Sequence, residues 1–164
     1  MIEFILFIVI FGLISHIYSL IKNDIQVQIV KLARSALLPV AQTTGSAGFD
    51  LHAIHFCRIA PLATAPIRVG VGIQIPVGYV GLIMPRSGLS KKGIMVHPGV
   101  VDSDYRGELA VLICNLTDKD FFVQSRMRIA QLLIMPNYNR NLTEIPEFNS
   151  QTVRGIRGFG STGL

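Results

Sequence analysis

From Ile67 to Ile75 the chain alternates: Ile67, Val69, Val71, Ile73 and Ile75 are separated by Arg68, Gly70, Gly72 and Gln74. A period of two puts the apolar side chains on one face, the pattern of a half-buried β-strand, and Pro76-Val77-Gly78 ends it. Ile25, Val27 and Ile29 alternate in the same way with Gln26 and Gln28. Tyr79 to Met84, Leu109 to Asn115, Phe121 to Val123 and Ile129 to Met135 supply further strands. Gln42 to Gly48 is a polar, glycine-containing loop leading into Phe49-Asp50-Leu51. Between the apolar positions Ile94, Val96, Val100, Val101 and Leu109, Val111, Ile113 lies Gly99 to Gly107, Gly-Val-Val-Asp-Ser-Asp-Tyr-Arg-Gly. This reads as strand, tight turn, strand: a hairpin presenting its tip to a ligand. Beyond the N-terminal run no window has a helical period, and no internal repeat is present. Many short strands spaced by turns predict an all-β barrel or sandwich.

The N-terminus breaks this pattern. Phe4 to Ile14 is an unbroken apolar run, and residues 2–21 stay mostly apolar apart from Ser15, His16 and Ser19. A span of about 20 residues can cross a bilayer as a helix. Glu3 precedes it where a secretory signal has basic residues, and no small-residue cleavage site follows. Two readings stay open: a membrane anchor, whose flanking Lys22, Lys31 and Arg34 would keep the following domain on the cytoplasmic side, or a leader unrelated to the fold. The chain divides into residues 1–23 as this leader or anchor, 24–148 as the β domain and 149–164 as a C-terminal arm.

Composition narrows the class. With 164 residues, half of them hydrophobic, the chain has enough material for one domain with a core and too little for two of ordinary size. The formal charge of +5 favours polyanionic partners, but no Lys/Arg run forms a nucleic-acid stripe, so no specific nucleic-acid partner is expected. Cys57 and Cys114 lie in apolar segments, outside any CxxC or Cys/His cluster, which predicts buried free thiols. Asn115-Leu-Thr and Asn141-Leu-Thr fit the glycosylation pattern, yet Asn115 ends a strand, a poor position for a glycan.

The candidate chemistry starts at Gly99–Gly107, where Asp102 and Asp104 stand one residue apart with Tyr105 and Arg106 behind them. Taken alone, Asp and Gly between apolar runs are turn chemistry. The tail, Arg154-Gly-Ile-Arg-Gly-Phe159-Gly160-Ser161-Thr162-Gly163, is glycine-rich like a linker, but its arginines and exposed amides suit phosphate and Phe159 suits stacking on a base. It is not a Walker P-loop, since Gly-Lys-[Ser/Thr] is absent.

Five segments stand in order: Ala47-Gly-Phe-Asp50-Leu-His-Ala53; Pro85-Arg86-Ser87-Gly88-Leu89 with Lys92-Gly93; Gly99 to Gly107; Arg128-Ile-Ala-Gln131-Leu132; and Arg154 to Gly163. Together they resemble the five motifs of the trimeric dUTPases over roughly residues 24–164. Val96 to Tyr105 looks most like the retroviral-type branch. The resemblance implies a jelly-roll-like distorted β-barrel, a homotrimer with sites between subunits, and an arm that closes over the site. It implies hydrolysis of dUTP to dUMP and pyrophosphate by water attack on the α-phosphorus, in an intracellular compartment. Asp102 matches the catalytic carboxylate as general base, and Asp104 a structural acid. Tyr105 matches the ring under the deoxyribose, excluding a 2′-hydroxyl. Uracil is read by backbone from Gly99, Val100 and Val101 and near Ala110. Arg86, Ser87, Gly88 and Gln131 match phosphate-binding positions. Arg154, Gly160, Ser161 and Thr162 match groups around the β- and γ-phosphates, and Phe159 the ring stacked over uracil. The resemblance further implies Mg2+ held mainly by the triphosphate, with Asp50 at most an outer-sphere partner.

One departure from the family pattern is Arg126-Met127, where Gly-Asp normally precedes the fourth motif. Rival activities fit less well. A dCTP deaminase needs a glutamate where this chain has Ala110-Val111-Leu112-Ile113, and zinc deaminases need a His-x-Glu and Pro-Cys-x-x-Cys that are absent. A non-catalytic nucleotide-binding or signalling module on the same scaffold is the alternative from another class; such a module is expected to lose Asp102, Tyr105 or the arm, and this chain keeps all three.

Overall fold

The computed structural model describes residue 12 and residues 25–138, 142–148, 152–153 and 155–157. Among the described residues from 25 on, ten strands and one helical turn follow in order: β1 (Gln28–Lys31), β2 (Phe49–His52), β3 (Cys57–Ile59), β4 (Thr64–Gln74), β5 (Tyr79–Met84), α1 (Ser87–Ser90), β6 (Ile94–Val96), β7 (Gly99–Val101), β8 (Glu108–Asn115), β9 (Phe121–Val123) and β10 (Arg128–Pro136). All pairings are antiparallel. One four-stranded sheet has the order β1-β4-β8-β6, a second β2-β10-β5-β7, and β3 pairs with β9 in a small third sheet. The fold is all-β, as the alternation predicts.

The core follows the alternation on β8 and the first half of β4, while on β10 Ile129, Ala130 and Leu132 are all buried beside a register shift between Arg128 and Ala130. Ile67, Val69, Val71 and Ile73 of β4, Leu109, Val111 and Ile113 of β8, and Ile129 and Leu132 of β10 are buried together. On β8 the intervening Ala110 and Leu112 are exposed, as a period of two requires. At Gly70 the β4 alternation fails and Gly70 and Gly72 are buried too. Gly70 has φ +71°, and the β4–β8 register shifts between Arg68 and Gly72. A Cβ here would stand 2.8 Å from the Ile54 Cγ2 and 2.9 Å from the Ala36 Cβ, so both the conformation and the space require glycine. The bend lets the Gly70 carbonyl accept from the amides of Leu32 and Ala33.

Some sequence-based expectations change. The Ile25–Ile29 alternation predicts a half-buried strand; β1 is an edge strand with all four residues exposed in the single chain. The Gly99–Gly107 stretch is not a simple hairpin: β7 pairs with β5, whereas β8 pairs with β4 and β6 in the other sheet. Its turn is therefore a corner between sheets, because alternation shows which face is buried but not which strand is the partner. Cys57 and Cys114 are free thiols, but half-buried ones. Asn115 is fully buried, and its Nδ2 donates to the carbonyls of Ile59, Ala60 and Lys119. That network excludes a glycan there.

The apolar residues 2–21 lie outside the described residues except Gly12. Among the described residues no helix is long and apolar enough to cross a membrane.

Candidate active site

The four-stranded sheet β2-β10-β5-β7 carries most candidate residues at or beside its strand ends. At one side, Asp50 on β2 pairs in register with Gln131 on β10, which pairs with Met84 at the end of β5. The chain leaves β5 through Pro85 and Arg86 into α1, which brings Arg86, Ser87 and Gly88 beside Asp50. Asp50 is buried, and both its oxygens are engaged: Oδ1 is 3.0 Å from Arg86 Nε and Oδ2 is 3.2 Å from Arg128 Nη1. Arg86 Nη1 also donates to the Arg128 carbonyl at 3.2 Å. One carboxylate between two guanidiniums leaves an excess positive charge, and the carboxylate fixes where that charge points. Gln131 Nε2 donates to the Pro85 carbonyl at 2.9 Å and ties β10 to the same segment.

These groups face a cleft of about 310 Å³ lined by Gln42, Ser46, Ala47, Gly48, Asp50, Arg86, Ser87, Gly88 and Gln131. Ser87 and Gly88 open α1, so their amides have no acceptor inside the helix. Directed donors and net positive charge suit a phosphate chain. His52, two residues beyond Asp50 on β2, has a buried Nδ1 without a hydrogen-bond partner among the described residues. Burial holds its pKa below the ordinary 6.5; Arg128, Arg86 and Arg126 push the same way and Asp50 opposes them.

A second cleft, of about 240 Å³, opens at the corner after β7. It is lined by Ile83, Gly99, Val100, Val101, Asp102, Tyr105, Glu108, Leu109 and Ala110. Asp102 is exposed, and its carbonyl accepts from the Tyr105 amide at 3.1 Å, closing the turn. The Tyr105 hydroxyl donates to the Glu108 carbonyl at 2.9 Å. Glu108 is itself anchored: Oε1 accepts from the Gly70 amide at 2.8 Å and Oε2 from Arg68 Nε at 2.9 Å. The hydrogen bond from Arg68 holds the Glu108 carboxyl below the usual range. An acid, an aromatic ring and an exposed strand edge thus meet in one apolar-floored cleft.

The two clefts share no lining residue. Asp50 is in register with Met84 through Gln131, and Val101 with Gly81. Three strand spacings of about 4.8 Å and three to four residues of about 3.3 Å each separate Asp50 from Asp102 by on the order of 15–20 Å. The structure therefore brings Asp50, Arg86, Ser87, Gly88 and Gln131 together, and separately Gly99, Val100, Val101, Asp102, Tyr105 and Ala110. Asp104 is exposed and lines neither cleft. Arg154, Phe159, Gly160, Ser161 and Thr162 lie outside the described residues. Arg128 and Glu108 take parts that motif spacing does not assign; Arg128 stood in the fourth segment, but its partner across the sheet is a tertiary fact.

The chain is similar to known proteins in sequence and in fold. A family model described as dUTPase matches residues 34–163. A deoxyuridine 5'-triphosphate nucleotidohydrolase from Helicobacter pylori (strain Shi470) is 42% identical over 142 residues, covering 85% of this chain and 97% of its own. One from Nautilia profundicola is 45% identical over 141 residues, covering 84% and 99%. A solved mutant of the Staphylococcus bacteriophage 80alpha dUTPase with dUpNHpp superposes with a TM-score of 0.80 at 29% identity, covering 85% of this chain and 99% of that one. A mutant dUTPase from phage phi11 of S. aureus, described for its coordination of a structural Mg(II) ion, has a TM-score of 0.73 at 26% identity, covering 76% and 99%.

Proposed function

Because this chain belongs to the dUTPase family, we propose that it hydrolyses dUTP to dUMP and pyrophosphate by attack of water on the α-phosphorus. The reaction limits uracil incorporation into DNA and supplies dUMP for dTMP synthesis. The observation that carries the reading is the corner cleft, in which Asp102, Tyr105 and the Gly99–Val101 strand edge converge.

In this mechanism the nucleoside enters the corner cleft. Exposed backbone groups of Gly99, Val100 and Val101, with Ala110 opposite, read uracil as a base-pair edge would. Backbone donors and acceptors discriminate strongly, since a mismatched base leaves polar groups unpaired. Tyr105 lies under the sugar and leaves no room for a 2′-hydroxyl. Asp102 is the general base, holding and deprotonating the attacking water. Arg86, Ser87, Gly88 and Gln131 receive the phosphates and stabilise charge on the leaving pyrophosphate. Arg154, Gly160, Ser161, Thr162 and Phe159 close the arm over phosphate and base and exclude water.

Magnesium belongs with the substrate in this reading. Among the described residues no three His, Cys, Asp or Glu side chains group to hold a metal, and both Asp50 oxygens are occupied by arginines. With its oxygens held by Arg86 and Arg128, Asp50 would act on an ion carried by the triphosphate and its waters only through those arginines.

Asp102 lies on the order of 15–20 Å by strand spacing from Asp50, which Arg86 pairs with, and this supports a site shared between subunits, in a homotrimer as the family resemblance implies. Val153 and Ile156 in the arm, and Leu142 before it, are fully exposed in the single chain, as expected of residues buried by a neighbour. Pyrophosphate release from dUTP, dTTP, dCTP and UTP with magnesium tests the assignment. Turnover should be confined largely to dUTP and fall by about 10²-fold or more in Asp102→Asn. A wild-type protein inert toward dUTP would overturn it.

A further inference from the structure

We infer that Gly107, together with Glu108, positions Tyr105 and thereby sets the preference for deoxyribose over ribose; this rests on the proposed role of Tyr105 at the sugar. The Tyr105 ring lies directly against the Gly107 backbone. A Cβ built on Gly107 would stand 2.5 Å from the ring Cζ and 3.0 Å from Cε2, and closer still to the hydroxyl oxygen. Carbon atoms do not approach that closely, so any side chain at 107 and the present ring position exclude one another. Gly107 is not in the left-handed region, so alanine would meet the ring and no backbone strain.

The hydroxyl end of the ring, which is the end nearest Gly107, is also tethered. Its hydroxyl donates to the Glu108 carbonyl at 2.9 Å, and Glu108 cannot follow a displaced ring. Its backbone pairs with Gly72, and its carboxylate is held by the Gly70 amide and Arg68. A steric clash between a tethered strand and a ring that turns about two torsions is relieved by the ring. Gly107→Ala therefore swings Tyr105 away from its place in the cleft, breaks the bond to Glu108 and leaves the β4–β8 ladder standing. Its effect belongs in substrate choice rather than in folding.

The test compares kcat/KM for dUTP and UTP in wild type, Tyr105→Ala, Tyr105→Phe, Gly107→Ala and the Gly107→Ala/Tyr105→Ala double variant, with thermal unfolding of each. Tyr105→Ala and Gly107→Ala should each lower the dUTP/UTP ratio by about tenfold or more, largely by raising activity on UTP. The double variant should fall no further than either single one, because both act through the same ring. Tyr105→Phe, which loses only the hydroxyl, should lower the ratio by less. A folded Gly107→Ala protein with the wild-type ratio, beside a Tyr105→Ala protein whose ratio falls, overturns the inference and leaves the sugar-contact reading standing. An unchanged ratio in Tyr105→Ala overturns both. If Gly107→Ala does not fold, Tyr105→Phe decides: a lowered ratio supports the brace from Glu108 and an unchanged one overturns it.

Discussion

Arg126 turns the chain between β9 and β10 with φ +65°, a left-handed conformation that costs an L side chain about 1–2 kcal/mol. Its amide donates to the Ala53 carbonyl at 2.7 Å and the Ala53 amide to the Met127 carbonyl, so the turn is locked to the end of β2 despite that cost. Arg126-Met127 stands where the resemblance expects Gly-Asp, and a left-handed turn forms here without the glycine. Arg126→Gly should therefore raise stability by about 1 kcal/mol, read as a higher urea midpoint at unchanged slope. His52 gives a second expectation. Its folded pKa lies below 6.5, chiefly through burial, so the unfolded chain takes up this proton first as pH falls. The stability it contributes is complete above pH 6.5 and is lost as pH drops through the folded value. Urea midpoints between pH 7.5 and 5 should decline in wild type, with this part of the decline absent in His52→Asn.

At the scale of elements, β4 joins the fold's two requirements, a long ladder and a bend. Its alternation is legible in the sequence, and β5, β8, β9 and β10 are legible as short, mostly apolar runs between turns. β3 and α1 are not, because three and four residues are too few to show a period. Nor is the bend: Gly70 and Gly72 read as ordinary polar-face positions until their packing against Ala33, Ala36, Val30 and Leu32 is seen. Gly70→Ala adds backbone strain to a clash with Ile54 and Ala36 and should cost about 2–4 kcal/mol. A denaturation midpoint close to wild type would contradict the packing argument. Because Glu108 is anchored at this bend, the variant should also disturb the corner that carries Tyr105.

For the whole molecule, the arrangement of sheets decides how the site is assembled. Asp50, Arg86 and Gln131 gather where β2, β10 and β5 meet α1, while Asp102 and Tyr105 sit past β7, on the order of 15–20 Å away by strand spacing. If each site takes Arg86 from one subunit and Asp102 from another, two inactive variants complement. Co-refolding equal amounts of Arg86→Ala and Asp102→Asn chains should then give mixed oligomers in which about a quarter of the sites are wild type, with activity to match. Activity no greater than that of either variant alone would mean that each chain supplies both residues to the same site.

The sequence by itself determined the strand-rich class and the buried face of β8 and of β4 up to Gly70, since these depend on local periodicity, and it singled out five segments by the residue types they share with the family's motifs. Even the strained turn at Arg126 stood out as a departure from pattern. Tertiary structure alone decided the partners. It placed the flanks of Gly99–Gly107 in different sheets, clamped Asp50 between Arg86 and Arg128, and set Tyr105 against Gly107 under the Glu108 carbonyl. These are contacts between residues whose meeting depends on strand register, or on the space left by a missing Cβ, and neither has a local signature in the chain.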